Sequence, residues 1–228
     1  FTGFFGIWAL KAGLVEPAVK AAEFLIHMCE LNKPHMDGEP GRFYFTYDPA
    51  TDSLNTDFEE GQSVNYVFDT TSQKGHFYHL GVVVALLADV YKATGDQQLL
   101  NVAEELCLFE RRLNPVALKW PSYCKIAWGA GELYGLTGKP EHRIAAMGVC
   151  DITFIAAQEA SGAWSRMFYP LRDDGAWQSV DYDGTDAVPV TLPDDGSWEM
   201  LEPQDISGEF LGETGRAKKA FKHVLGEI

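Results

Sequence analysis

The sequence predicts a mainly α-helical protein, an array of helical hairpins with a small inserted β-hairpin and a long irregular insert. The first observation behind this prediction is a repeated phrase. Residues 133–138 (LYGLTG) match residues 90–95 (VYKATG), and residues 210–215 (FLGETG) resemble both. Self-similarity at a period of 20–50 residues marks a repeat architecture. Each copy ends an apolar stretch at a glycine, the residue that commonly follows a helix C-terminus.

The second observation is the spacing of apolar residues, which predicts four hairpins within a single domain over residues 1–228. Gly13 and Gly95 are expected to end two of the helices. Pro17 fits the first turn of another, where its missing N–H costs nothing. In chain order, the predicted helices cover residues 4–12, 16–32, 76–92, 97–112, 120–136 and 141–159, with a last pair within 205–228.

Two segments interrupt the helices. In residues 42–47 the aromatic residues Phe43, Phe45 and Tyr47 alternate with other side chains, and a turn follows, so this segment and residues 53–58 are expected to form a β-hairpin. Residues 61–75 indicate a polar loop. Residues 161–204 lose the helical period and contain three Gly-x-Trp turns, which suggests a long irregular insert.

The composition restricts the class of protein. The chain has 228 residues, of which 46% are hydrophobic, as expected for a globular domain. Its 33 acidic and 18 basic residues give a formal net charge of -15, which argues against nucleic acid and anionic membranes as partners. No apolar run reaches the roughly 18 residues that a membrane span needs.

The four cysteines form no CxxC pair, so a reduced, cytoplasmic protein is expected. The start of the chain lacks a secretory signal and an initiator methionine, and we expect the chain to be a fragment. The sequence contains no phosphate-binding loop, nucleophile elbow or dinucleotide fingerprint, so no cofactor is predicted. The sequence is compatible with a monomer and with a homo-oligomer.

Residues 158–164 (QEASGAW) match the QxxxGxW turn of triterpene cyclases. With the hairpin repeat, this turn resembles the α/α-toroid enzymes, which include squalene–hopene-type terpene cyclases, linalool dehydratase-isomerase, N-acylglucosamine 2-epimerase and many glycoside hydrolases and polysaccharide lyases. The resemblance implies a ring of helical hairpins around a central cavity. Thr153 stands where the turn expects an aromatic residue, and the DxDD and DDxxD motifs are absent. A full ring has about six hairpins, whereas this sequence predicts four.

In a toroid, the loops that enter the inner helices form the mouth of the cavity. The resemblance therefore directs attention to the helix starts near His76 and Tyr123. His76 and His79 share a helix face, and Asp69 is expected to orient one of them as a general acid or base. A metal site at these three residues lacks a clear further ligand. Cys124, at a predicted helix N-terminus beside Lys125, and Tyr123 are expected to serve as a nucleophile or proton relay.

An apolar, aromatic wall is expected around these groups. It suits an isoprenoid or polyketide, although it suits sugar stacking and ordinary core packing as well. The predicted substrate-binding residues are Tyr66, Tyr78, Trp120, Trp128, Glu132 and Trp177, of which Glu132 is also a second acid–base candidate.

The predicted function is that of a lyase, isomerase or cyclase acting on a small hydrophobic metabolite without a metal, by acid–base or purely conformational catalysis. A carbohydrate-active toroid is the first alternative, because Asp173, Asp174 and other acidic residues of the long insert offer paired carboxylates. A non-enzymatic helical-repeat binding module is the second alternative. A dry aromatic cavity favours the first function, whereas a cavity rich in polar side chains favours the carbohydrate enzyme.

Overall fold

The structure is a computed structural model that describes residues 1–59, 62–72, 75–114 and 124–150, together with the backbone of two short strands at 168–170 and 198–200. Its helices are α1 (Thr2–Lys11), α2 (Val15–Met36), α3 (Tyr78–Thr94), α4 (Gln97–Glu110), α5 (Cys124–Thr137) and α6 (Pro140–Val149). Its strands are β1 (Arg42–Tyr44), β2 (Tyr47–Asp48), β3 (Ser53–Leu54), β4 (Val67–Asp69), β5 (Phe168–Pro170) and β6 (Trp198–Met200). The prediction of a mainly helical protein is confirmed for this part of the chain.

The glycines of the repeated phrase end the first helix of each described hairpin. Gly13, Gly95 and Gly138 have φ angles of 77°, 75° and 65°, the left-handed conformation that side chains disfavour. The predicted ends at Gly13 and Gly95 are therefore confirmed. Each of these glycines is followed within a few residues by the start of the next helix, so the chain reverses direction in a short turn.

The threonine of the repeated phrase explains why the phrase is repeated. The Thr94 hydroxyl donates a hydrogen bond of 2.9 Å to the Val90 carbonyl and accepts one of 3.3 Å from the Asp96 N–H. Thr137 makes the same two contacts at the end of α5, at 2.9 Å and 3.2 Å. One hydroxyl thus joins a carbonyl of the last helical turn to an N–H of the turn that follows the helix.

The hairpins α1–α2, α3–α4 and α5–α6 stack side by side in two layers. Helix α3 packs against both α1 and α5, and α4 contacts both α2 and α6. The buried hydrophobic residues of all six helices belong to one core. Residues 151–159, 205–228 and the fourth predicted hairpin lie outside the described residues, so closure into a ring stays a prediction.

Helices α3 and α5 touch through their backbones. A Cβ atom on Gly81 would lie 2.5 Å from the carbonyl carbon and oxygen of Lys125, and one on Gly129 would lie 2.6 Å from the Gly81 carbonyl oxygen. Only glycine allows so close an approach. Towards their C-terminal ends, Lys92 of α3 forms an ion pair with Glu132 of α5, so the two helices run in the same direction.

Helix α1 approaches the same helix through small residues. A Cβ atom on Gly3 would lie 2.9 Å from the Val82 side chain, and one on Gly6 would lie 2.6 Å from the Leu86 side chain. Because both contacts advance along the chain together, α1 also runs parallel to α3. The N-terminal ends of α1, α3 and α5 therefore lie at one end of their layer.

The strands pair differently from the predicted hairpin. β1 pairs antiparallel with β4, and the local hairpin consists of β2 and β3. The prediction of a polar loop at residues 61–75 is therefore wrong at residues 63–65, a short 3-10 helix, and at β4. Val67 and Phe68 of β4 are buried, which gives this short strand an apolar reason to pair with β1. In the long insert, β5 and β6 also pair antiparallel.

Asn32 attaches the strands to the helices. Its buried amide accepts a hydrogen bond from the Tyr44 N–H at 2.6 Å and donates to the Tyr44 and Met28 carbonyls at 2.8 Å and 2.9 Å. The side chain thus makes the two hydrogen bonds that a neighbouring strand would make with this edge of β1. Since side chains alternate along an extended chain, this attachment orients Phe43 and Phe45 to the face opposite Tyr44.

The close contact between α3 and α5 predicts a sharp difference between two glycines of α5. Gly129→Ala is expected to lower the free energy of unfolding by about 1–3 kcal/mol, because the new methyl group overlaps the Gly81 carbonyl. In the control Gly135→Ala the methyl group meets nothing within 4 Å. That change is expected to be neutral or to stabilise by up to about 1 kcal/mol. Urea denaturation measures both, and equal stability of the two variants would contradict the backbone contact.

Candidate functional site

A cavity of about 370 Å³ lies where the N-terminal ends of α1 and α3 meet the middle of α2 and residues 43–47. Small-molecule sites commonly have volumes of about 300–1,000 Å³ and mostly apolar walls. The wall of this cavity follows that pattern. Its larger apolar side chains include Phe4, Phe24, Met28, Phe43, Phe45 and Leu80.

His79 is the imidazole in the wall of this cavity. It lies in the first turn of α3 and contacts aromatic rings on two sides. Its ring centroid lies 4.5 Å from that of Phe45, in an edge-to-face arrangement, and 6.2 Å from that of Phe68. The adjacent Tyr78 ring lies at 4.2 Å. The prediction that His79 stands near the start of a helix agrees with this position.

The surroundings of His79 keep its ring neutral. Burial, reinforced by the nearby His76, lowers the pKa of His79 from 6.5 to about 4. Its buried Nδ1 has no hydrogen-bond partner among the described residues. Buried polar atoms are rarely left unpaired in folded proteins, and those that are commonly mark a functional position or a bound molecule. The wall of the cavity thus contains a neutral imidazole whose buried Nδ1 has no described partner.

His76 precedes α3 and does not line the cavity. Its ring lies 5.9 Å from the His79 ring and 5.9 Å from the Tyr78 ring. Burial lowers the pKa of His76 as well. The two histidines are neighbours, but His76 lies outside α3, so the predicted shared helix face is wrong, and only His79 lines the cavity.

Asp69 does not orient either histidine. Its carboxylate accepts hydrogen bonds from the Arg42 Nε at 2.9 Å and from the Thr71 N–H and hydroxyl at 2.9 Å and 2.6 Å. Burial would raise the pKa of Asp69, but the hydrogen bonds of Thr71 and Arg42 outweigh it and hold that pKa below its ordinary value. The predicted Asp–His pair is wrong, because the carboxylate serves the β1–β4 pairing instead.

Tyr78 also lines the cavity. Burial raises the pKa of its hydroxyl, so the phenol is un-ionised near neutral pH. The Lys125 ammonium of α5 lies 5.8 Å from the centre of the Tyr78 ring, within the range of a cation–π contact. This contact joins the N-terminal ends of α3 and α5, where sequence analysis places the active groups.

Three other predicted substrate-binding residues make contacts that stabilise the fold. Trp128 is only 6% exposed and belongs to the core of α5. Glu132 pairs with Lys92, and Tyr66 stacks on Phe58 with centroids 5.2 Å apart. None of the three lines the cavity at His79.

Several predicted residues fall outside the described residues. Tyr123, Trp120 and Trp177 do so, as do Asp173, Asp174 and the rest of the acidic insert. Cys124 is the first residue of α5, and its side chain is not among those described. Their predicted roles remain predictions.

Sequence analysis missed the residues that form most of the wall. Phe43, Phe45 and Tyr47 were assigned to a strand by their alternation, and this same alternation turns all three towards the cavity. The alternation was visible in the sequence, but it did not show which helices this face of the strand would contact. Cys29 was also missed. Burial raises the pKa of its thiol to about 12, so it contributes to the wall as an apolar, protonated side chain.

Other kinds of site receive no support within the described ranges. Their histidine, cysteine, aspartate and glutamate residues do not gather in groups of three or more that could hold a metal ion. None of the described helices combines the length and the apolar character that crossing a membrane requires.

Comparisons with known proteins leave this cavity as the main guide to function. The chain matches no family model, no curated protein and no solved structure. The resemblance to α/α toroids therefore rests on the repeat and the QxxxGxW turn alone, and it stays a prediction.

The neutral His79 predicts a dependence of stability on pH. The pKa of a histidine is about 6.5 in an unfolded chain and about 4 for His79 in the folded one. Between these pH values the unfolded state binds more protons, so the free energy of unfolding falls as the pH is lowered through this interval. His79→Phe removes that proton uptake, and its stability should fall less between pH 7 and 4.5. Urea denaturation at both pH values measures this, and equal losses in the two proteins would contradict the neutral, buried ring.

Proposed function

We propose that this protein is a lyase or isomerase that binds a small, largely apolar metabolite with one hydroxyl or carbonyl group in the cavity at His79. The observation that carries the proposal is a neutral imidazole with an unpaired buried nitrogen, set in an aromatic wall. The wall binds the hydrocarbon part of the metabolite, and the imidazole binds its polar group.

The wall favours hydrocarbon over sugar. Phe4, Phe24, Phe43 and Phe45 present aromatic carbon to the cavity, and none of them offers a hydrogen bond. Cys29 adds a protonated thiol, which behaves as a small hydrophobe. A sugar would leave most of its hydroxyl groups unpaired against these side chains, at a cost of about 1–3 kcal/mol for each. An isoprenoid or polyketide skeleton has few such groups.

The state of His79 suits a reaction in which a proton is removed and then returned. A neutral imidazole can accept a proton from a carbon next to a carbonyl or double bond. Because burial disfavours the imidazolium, the proton does not remain on the ring and is passed back to the substrate or to a leaving group. Isomerisation and elimination both need this sequence. We assign to Tyr78, un-ionised and in the same wall as His79, the donation of a hydrogen bond to the substrate oxygen.

Ligand selectivity tests the binding part of the proposal. The fluorescent probe N-phenyl-1-naphthylamine is displaced from the protein by farnesol and by the matching hydrocarbon farnesene. The wild type is expected to bind the alcohol about 3–10-fold more tightly, which is the value of one hydrogen bond. His79→Phe should abolish that preference, whereas His76→Phe, outside the wall, should retain it. A preference that survives His79→Phe would exclude the imidazole as the polar contact.

Hydrogen exchange tests the catalytic part. Terpenoid aldehydes and ketones such as citronellal and pulegone are incubated with the protein in D2O, and deuterium incorporation is followed by mass spectrometry. Wild type should speed exchange next to the carbonyl, and His79→Phe should lower that rate at least about 100-fold, as for the loss of a general base. His76→Phe serves as the matched control and should stay within about threefold of wild type. If the protein binds these compounds but speeds exchange in none of them, it is a binding protein, and the proposed enzymatic activity is wrong.

A further inference from the structure

Tyr47 stands in the cavity wall at a distance from His79. Its ring packs edge to face on Phe24 of α2, with centroids 5.4 Å apart, and both rings line the cavity. His79 instead contacts Phe45. Two residues of extended chain separate Phe45 from Tyr47, a step of about 7 Å. The Tyr47 ring therefore lies about 7 Å further along the chain than Phe45, the residue that contacts His79.

A shared carboxylate oxygen holds the Tyr47 side chain in place. Asp52 Oδ1 accepts a hydrogen bond of 2.7 Å from the Tyr47 hydroxyl, and His27 Nε2 of α2 lies 2.7 Å from the same oxygen. These hydrogen bonds, that of Tyr47 first and that of His27 second, lower the pKa of Asp52. The carboxylate is thus ionised at neutral pH and fastens the phenol to the helix across the strand.

The turn that carries Asp52 is itself well defined. Asp48 accepts hydrogen bonds of 2.9 Å from both the Ala50 N–H and the Thr51 hydroxyl. Asp52 has a φ angle of 51°, the left-handed conformation that aspartate tolerates better than most residues. These features orient the Asp52 carboxylate back towards Tyr47. The position of the ring is therefore fixed by the β2–β3 hairpin and not only by packing.

We infer that Tyr47 is the residue that sets ligand length: its ring closes the part of the cavity remote from His79, and Asp52 is the positioning residue that holds it there. This inference rests on the proposed function, because it assumes that the polar group of the ligand lies at His79. The ligand class is then an apolar chain with one terminal polar group. Its length cannot exceed the distance from the imidazole to the Tyr47 ring.

A series of straight-chain primary alcohols from hexanol to hexadecanol tests the inference, with displacement of N-phenyl-1-naphthylamine as the measurement. In the wild type, affinity should rise up to about fourfold for each added methylene group. It should stop rising, or fall, at a limiting length. Tyr47→Ala removes the ring and should move that limit to alcohols longer by about two or three carbon atoms, while hexanol binds almost as before.

Three further variants separate the ring from its hydrogen bond and from general stability. Tyr47→Phe keeps the ring and should keep the limit within one carbon atom of the wild-type value. Asp52→Ala leaves the ring in place but unfastened, and longer alcohols should gain affinity by about 3–10-fold relative to the wild type. Tyr47→Leu is the substitute if Tyr47→Ala does not fold, and it should move the limit in the same direction.

The outcomes separate this inference from the proposed function. If the wild type binds none of the alcohols, the proposed function fails. If the wild type binds them with a clear limit, but Tyr47→Ala and Tyr47→Leu show the same limit, the proposed function stands and the role of Tyr47 is overturned. A loss of affinity for every alcohol in equal proportion would also overturn it, because that result indicates a purely structural role.

Discussion

The backbone contact between α3 and α5 is the constraint on which the rest of the structure depends. Gly81 and Gly129 let the two helices approach until carbonyl and Cα atoms meet, and Gly3 and Gly6 let α1 approach α3 from its other side. Larger side chains at these positions would separate the helices. The three parallel helices then present their N-terminal ends at one end of the layer. His79 lies at that end because it occupies the first turn of α3.

The inserted strands convert this helix end into a cavity. Asn32 replaces a strand neighbour for Tyr44 and so attaches β1 to α2. Phe43 and Phe45 then face the N-terminal turn of α3, and a buried imidazole is placed among aromatic rings. The neutral state of His79 costs the folded protein stability at acid pH. The hairpin repeat thus supplies the scaffold, whereas the insert supplies most of the chemistry of the wall.

The sequence predicted what local interactions decide. The turns after α3 and α5 follow from a threonine and a glycine within a few residues of each other, so the repeated phrase was sufficient to place them. The pairing of β1 with β4 depends on residues far apart in the chain, and no local signal distinguished it from a simple hairpin. The partners of Asp69 and Glu132 were missed for the same reason. Arg42 and Lys92 are ordinary exposed cations in the sequence and become partners only when strands or helices meet.

The two histidines show where sequence reasoning ends for this site. A spacing of three residues predicted that His76 and His79 share a helix face, but α3 begins at Tyr78 and only His79 belongs to it. The difference between them comes from β1 and β4, because Phe45 and Phe68 cover one ring and not the other. The pKa of His79 is set by the rings that bury it and not by its position on the helix. The function therefore has to be sought in the fit between the repeat and its insert, since neither of them alone forms the cavity.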